Sequence, residues 1–346
     1  MYPDGRERGT PIIQVRTDNG LTGWGEAEAS RVPEAVCNVV CNFLSHGLQR
    51  RVFHGDREEI EAIRDSMHET LTREAESGGF ADAAIGAVDM ALWDLAGKAR
   101  VHRMVKDAGV SEVEALAALS CAEAVPEAIQ PLEDDGIAVF ELRFDGAGKE
   151  LIGAMDRLRR LVRRNTRVAV NALWRLGEAG NSGLALQIDE REPLWLANPL
   201  PPEDPFAHGL MAKTLRTPLA LGEAYHTHCE LAPLVHEGAV GVLQPDLGRC
   251  GFTEALRMAE MVGSRPIPVV VRCGESLGPR LAAALQFAAL APGRRVEYRP
   301  AWLRAANGVL ATPIEFHNGQ YQVPQRPGLG IEMEEPEVHL LETQLA

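Results

Sequence analysis

The sequence predicts an α/β protein, a parallel (β/α)8 TIM barrel preceded by a smaller α+β domain. Three observations carry this. Eight short apolar runs recur between residues 116 and 297. Segments with helical apolar spacing lie between them, as the crossovers of a parallel sheet require. Ahead of the runs the order is strands first and helices second, the pattern of a separate α+β unit. At 346 residues the chain is long enough for both parts.

Taken in order, the opening MYPDGRERGT is polar. Residues 11–16 and 22–28 flank Asp18-Asn19-Gly20, a hairpin signal because Asn and Gly tolerate the turn's positive φ. Helical patterns follow at 33–48 and 57–73, then the Gly-rich 77–79, then an Ala-rich helix at 83–99 carrying Asp89 and Asp94. The first domain is predicted over residues 1–105 and the barrel over 106–346, with the boundary falling within 101–113. Barrel strands are predicted at 116–121, 138–143, 167–171, 194–197, 218–221, 240–244, 267–272 and 295–297. The clearest crossover helices are 148–164, 251–263 and 278–291. In such barrels chemistry sits at the C-terminal strand ends. Here those ends carry Glu141 and Arg143, Asn171, Ala197 and Asn198, Glu223, Asp246, Arg272 and Cys273, and Glu297.

Composition narrows the partners. With 35 Lys and Arg against 49 Asp and Glu, the formal charge of −14 argues against nucleic acid or an anionic membrane. The arginines of 157–164 read as the wet face of an amphipathic helix, with Leu158, Leu161 and Val162 inward. The six cysteines show no disulfide framework, so reduced thiols in a cytoplasmic protein are expected. Cys37 and Cys41 lack a second half-site for zinc. The five tryptophans read as core or domain-interface anchors.

Residues 20–28, GLTGWGEAE, and 86–98, GAVDMALWDLAGK, resemble the capping-domain signatures of the enolase superfamily, more closely those of its mandelate racemase/muconate lactonising enzyme branch and especially of the acid-sugar dehydratases. The segments WLANPLPPED at 195–204, TPLALGE at 217–223, LQPDLGRCGFTE at 243–254 and PGLGI at 327–331 continue the likeness in order. The resemblance implies an enolase-type modified (β/α)8 barrel under an N-terminal α+β cap, with the C-terminal tail returning to the cap. It also implies a Mg²⁺ held by carboxylates from the third to fifth barrel strands. That metal stabilises the enediolate formed when a base removes the proton α to a carboxylate. The bases are a Lys-x-Lys on the second strand and a His on the seventh paired with an Asp on the sixth.

Several of these positions read differently here. The Lys-x-Lys place is Glu141-Leu142-Arg143, and the seventh-strand His place is Arg272. Two carboxylate positions read Ala169 and Ala197, leaving Asn171 and Asn198 beside them as neutral donors. Glu223 and Asp246 are retained. Arginine keeps positive charge but holds its proton too firmly to act as a base, and one carboxylate is a poor Mg²⁺ cage. Mg²⁺ binding is therefore expected to be weak or absent, with arginine in the metal's place and Arg272 paired to Asp246, or either arginine to Glu223.

The leading expectation is a catalytically silent or repurposed member that binds a small carboxylic or sugar acid through Arg143 and Arg272. Glu141, Cys273, Glu275 and Glu297 are further candidates for that lining. Such a binder predicts an open mouth with both arginines unpaired. The alternatives are a Mg²⁺-dependent acid-sugar dehydratase or racemase with a rearranged site built on Glu223, Asp246 and His226, and a non-catalytic oligomeric scaffold with a plugged mouth. A homo-oligomer is expected in each case. The family's mouth-closing loop after the first cap strand is expected to be short or missing. Glu26, Glu28 and the segment 30–33 remain as candidates to reach the mouth.

Overall fold

The computed structural model describes residues 9–29, 31–49, 51–74, 78–102, 110–181, 183–263 and 267–334. The cap opens with the antiparallel hairpin β1 (Ile12–Arg16) and β2 (Thr22–Glu26), joined through Gly20 at φ +87°. Next come α1 (Pro33–Val39), a π-helical turn at Val40–Leu44, and α2 (Ser45–Leu48). The long helix α3 (Arg57–Arg73) starts where the Asp56 carboxylate accepts from the Glu59 N–H, satisfying one of the orphan amides of its first turn. Helix α4 (Phe80–Ala99) is buried on nearly every face. Its small residues allow that. A Cβ on Gly86 would come within 2.7 Å of the Gly251 nitrogen, so close packing of α4 on the barrel requires glycine there. Val36, Ile60, Ile63, Leu71, Ile85 and Leu92 form the cap's own core.

The barrel alternates as predicted, with elements β3 (Glu112–Ser120), α5 (Pro126–Asp134), β4 (Val139–Arg143), α6 (Gly148–Leu161), β5 (Arg167–Asn171) and α7 (Leu184–Asp189). It continues through β6 (Leu196–Ala197), α8 (Pro205–Thr214), β7 (Leu219–Leu221), α9 (His228–His236), β8 (Val242–Leu243) and α10 (Leu247–Val262). Then follow β9 (Val270–Val271), α11 (Pro279–Ala288), β10 (Arg295–Tyr298) and α12 (Pro300–Asn307). Strands β3 to β8 pair in sequence and in parallel. The bridges Leu243↔Val269 and Asp246↔Arg272 join the β8 segment to that of β9, and β10 pairs with both β9 and β3, closing the barrel. A last hairpin, β11 (Phe316–His317) and β12 (Gln320–Gln322), adds antiparallel to the start of β3.

The crossover helices bury one stripe. In α6 this is Leu151, Ala154, Met155 and Leu158, and a fully buried leucine stabilises by about 1.5–3 kcal/mol. Leu161 departs from expectation. It is 37% exposed, because the helix ends there and the chain turns away. Helix α10 starts four residues before the predicted 251, because Asp246 caps a first turn that Gly251, at φ +77°, then kinks. Inside the bore, Leu116, Val139, Ala169, Trp195, Ala197, Ala220, Val242 and Val270 form a dry apolar plug. The chemistry sits above this plug.

Cap and barrel are joined by buried carboxylates of the cap. Asp89 accepts from the amides of Phe252 and Thr253 and from the Thr253 hydroxyl. Asp94 accepts from Trp24 N–H and from Leu329 N–H in the tail. Glu26 accepts from the Ser276 hydroxyl and the amides of Leu277 and Arg280. The predicted boundary at 101–113 falls largely on residues 103–109, outside the described ones, as do Ser30 and Ser77.

Candidate active site at the barrel mouth

Between the C-terminal strand ends and the cap lies a cavity of about 580 Å³. The barrel lines it with Arg143, Leu173, Trp174, Glu223, His226, Asp246, Arg249, Arg272, Glu275, Glu297 and Arg299. The cap contributes Glu28, Ala29, Arg31, Phe80 and Ala83. Leu173 and Trp174 hold positive φ of 50° and 62°, and Asn198 47°. Such strain in side-chain-bearing residues persists only where the surroundings hold it. Here the Trp174 amide donates to the Asn198 carbonyl at 2.7 Å.

The centre of the site is Arg272, only 3% exposed. Its strand directs the guanidinium across the bore, where Nη1 donates to Glu141 Oε1 at 2.6 Å. Nε lies 3.5 Å from Glu223 Oε2 and 3.6 Å from Glu297 Oε2. Burial works against its charge, but Glu141, Glu297 and Glu223 outweigh that and push its pKa well up. Glu141 is fully buried and also accepts from Trp195 Nε1–H at 2.8 Å and from Gln244 Nε2 at 3.3 Å. For Glu297 burial raises the pKa, yet the charges of Arg272, Arg299 and Arg143 hold it well below the usual carboxylate range. Glu297 Oε1 accepts from Arg299 Nε at 2.9 Å.

A second ion cluster lies on the cap side. Fully buried Arg280 pairs with Glu28 and lies 3.7 Å from Asp246. Asp246 itself accepts from Gly248 N–H at 2.8 Å. Burial pushes its pKa up to about 6, against the field of Arg280 and with added repulsion from Glu28.

Of the expected pairings, that of an arginine with Glu223 is present through Arg272, and that of Arg272 with Asp246 is corrected. The two residues are bridged through their backbones, but Asp246 turns to cap α10 while Arg272 points inward to the opposite strand. Nor is Arg272 free for a ligand. Arg143 is, since its guanidinium lines the cavity and makes no ion pair or side-chain hydrogen bond among the described residues. Glu141 and Cys273 lie off the cavity wall. Burial pushes the Cys273 thiol up, and it donates to the Glu297 carbonyl. Asn198 Nδ2 donates to Glu223 Oε2 at 2.7 Å, and Asn171 holds the Leu173 amide. His226 sits on the wall with Glu230 at 3.7 Å. Glu26 lies in the cap–barrel seam and not in the mouth.

Sequence reasoning missed Arg249, Arg280, Arg299 and the lining role of Trp174. A signal was present for the first two, which lie in the first turns of the helices that follow strand ends. Arg249 also lines the cavity without an ion pair among the described residues.

Mg²⁺ takes several oxygen ligands and usually more than one carboxylate. Here Ala169 and Ala197 offer only methyl groups to the dry plug, and Glu223 is shared between Asn198 and Arg272. No cluster of three or more His, Cys, Asp or Glu suited to a metal occurs among the described residues. The donor set does not fit Mg²⁺.

An α+β cap over an eight-stranded parallel barrel, with charged strand ends facing a cavity beneath the cap, defines an enolase-type protein. Residues 6–106 match the mandelate racemase/muconate lactonizing enzyme N-terminal domain, and residues 123–338 match the enolase C-terminal domain-like family. The chain belongs to the mandelate racemase/muconate lactonizing enzyme branch of the enolase superfamily. It is 24% identical to D-xylonate dehydratase of Haloferax volcanii, covering 96% of this chain and 85% of the relative. It is 28% identical to D-galactarolactone cycloisomerase of Agrobacterium fabrum, covering 93% and 88%. A racemase from Streptomyces coelicolor A3(2), solved with bound magnesium, superposes with a TM-score of 0.81 at 22% identity, covering 95% and 90%.

Proposed function

We propose that this protein binds a small carboxylic or sugar acid at the barrel mouth and has given up Mg²⁺-assisted proton abstraction. The observation that carries the reading is Arg272. A guanidinium shared among Glu141, Glu223 and Glu297 supplies the positive charge that a metal ion supplies in the family, and it is already neutralised by those carboxylates. An incoming acid then meets Arg143 and Arg249, which line the cavity and make no ion pair among the described residues, their charges acting at longer range on Glu297 and on Glu28 and Asp246. Arginine's planar donor fork suits a carboxylate. Neither arginine abstracts a proton, so binding is retained where proton abstraction is not.

A second reading draws on Asp246. A wall carboxylate with a pKa near 6 is suited to general acid–base work without metal. One experiment separates the two. The protein is incubated in D₂O with a pool of sugar acids, with Mg²⁺ and then with EDTA, and exchange or dehydration is followed by NMR. The expected result is no turnover in either condition, with acid binding visible by ligand-observed NMR. Mg²⁺-dependent turnover overturns the proposal. Turnover that survives EDTA, and falls with Asp246→Asn, transfers the site to the second reading.

A further inference from the structure

Away from the mouth, three side chains stand in a relay that the barrel chemistry does not use. Cys229 Sγ lies 3.6 Å from His228 Nε2, and His228 Nδ1 lies 2.8 Å from Glu254 Oε2. Glu254 is fully buried on α10. Arg64 of the cap approaches it at 3.1 Å and Arg257 at 2.9 Å. Burial would raise its pKa, but Arg64 and the donors of His228 outweigh that and hold it low. An ionised carboxylate only accepts, so the proton of the His228–Glu254 contact sits on Nδ1. In neutral imidazole Nε2 is then the lone-pair nitrogen, and it is Nε2 that faces the thiol. This is the orienting arrangement of nucleophile, base and carboxylate used for activated cysteines.

The other five cysteines differ. Cys121, Cys250 and Cys273 are buried and Cys37 is half-buried, and burial raises the thiol pKa of all four. Cys41 is exposed like Cys229, but no imidazole is hydrogen-bonded to its sulfur among the described residues. Cys229 also lies in the first turn of α9, behind the Thr227 cap.

We propose that Cys229, His228 and Glu254 form a thiol-exchange site for a low-molecular-weight disulfide. The Cys229 proton passes to His228 Nε2, and Sγ attacks one sulfur of the disulfide R–S–S–R. That S–S bond breaks as the Cys229–S–S–R bond forms. The departing thiolate takes the proton from His228 and leaves as RSH. Cys229 is oxidised and one sulfur of the small disulfide is reduced, so no other oxidant is required. The site stands on the outer seam of cap and barrel, because the carboxylate that orients His228 also holds Arg64.

The test uses the intact protein with oxidised glutathione near neutral pH, and mass spectrometry of the modified peptides at successive times. Cys41 serves as the exposed internal control. Cys229 is expected to form the mixed disulfide at least about tenfold faster than Cys41. His228→Asn is expected to lower the Cys229 rate by at least about fivefold and leave Cys41 unchanged. Unmodified Cys121, Cys250 and Cys273 certify that the variant is folded. If it is not, His228→Gln, closer in length, replaces it. A Cys229 rate within about threefold of Cys41 overturns the proposal, as does a smaller response to loss of the imidazole.

Discussion

Arg272 shows how a single buried charge sets the character of the mouth. Its guanidinium holds three carboxylates, while each carboxylate has other donors as well. Loss of the two sides should therefore be unequal. Arg272→Met leaves Glu141 charged in the bore with only Trp195 and Gln244 to donate to it, and breaking a buried pair in this way costs about 3–5 kcal/mol. Glu141→Gln leaves Arg272 with Glu223 and Glu297 and should cost about 1–2 kcal/mol. Urea unfolding of the two variants measures the difference, and equal losses would mean that Glu223 and Glu297 do not share the guanidinium. In this network Glu141 and Arg272 were legible in the sequence as departures from family positions, Glu223 as a retained one and Glu297 as a strand-end carboxylate, and the pairing of an arginine with Glu223 was expected, but the contact of Arg272 with Glu141 was not. Sequence order makes Asp246 and Arg272 neighbours on adjacent strands. The pleat of a closed barrel instead directs the side chain across the bore, to Glu141 four strands back around the barrel from the β8 end that carries Asp246.

At the scale of elements, Asp89 acts as an N-cap supplied from another domain. Helix α10 is broken at Gly251, which leaves the amides of Phe252 and Thr253 without partners of their own, and the Asp89 carboxylate on α4 accepts both. Burial pushes Asp89 up to about 6, against the hydrogen bonds from Thr253, and Asp94 likewise to about 6. The sign of the pH effect follows. Between the ordinary value of 3.8 and about 6 the folded chain holds protons that the unfolded chain has lost, so stability rises as pH falls through that window and declines as pH rises through 6. Glu254 and Glu297, held low, act in the opposite sense, and their contribution is lost only as pH falls below about 4.5. The gain in melting temperature from pH 7 to pH 5 should thus be larger in the wild type than in Asp89→Asn. Equal gains would show that Asp89 does not titrate in this window. The elements themselves were largely visible in the sequence because continuous apolar runs follow from strands buried on both faces and period-3.6 patterns from helices buried on one. What was missed were short helices such as α7, α8 and α12, of six to ten residues. Too few turns are available there for an apolar stripe to repeat. The strands β6, β8 and β9 have only two residues each in regular pairing. Their apolar runs extend beyond the ladder because flanking residues are buried without being paired.

For the whole molecule, the cap and barrel leave a cavity that is open, so the mouth is not plugged as the scaffold alternative requires. The chain carries a net charge of −14, yet the groups left without ion-pair partners at the mouth include Arg143 and Arg249. The cavity wall itself is balanced, five arginines against five carboxylates, and so is less negative than the chain as a whole. At contact distance the local charges decide, since distant surface charges are screened beyond about 8 Å at physiological ionic strength. A small acid should raise the melting temperature by a few degrees, on the order of 3 °C when present at a hundredfold its Kd. Arg143→Ala should remove most of that rise and lower the ligand-free melting temperature only slightly, because Arg143 makes no ion pair among the described residues and Glu297, on which its charge acts, keeps Arg272 and Arg299. Arg272→Met should behave oppositely, with a large loss of stability before any ligand is added. Mg²⁺ and EDTA should shift none of the three proteins, because a donor set of one shared carboxylate and two amides gains nothing from the ion. Scanning calorimetry on the three proteins, with and without citrate, reads all of this in one series. If Mg²⁺ raises the wild-type melting temperature and Glu223→Gln abolishes the rise, the metal has kept its place and the role given to Arg272 is wrong. If citrate stabilises the wild type and Arg143→Ala equally, the acid binds elsewhere, and the open mouth needs another occupant.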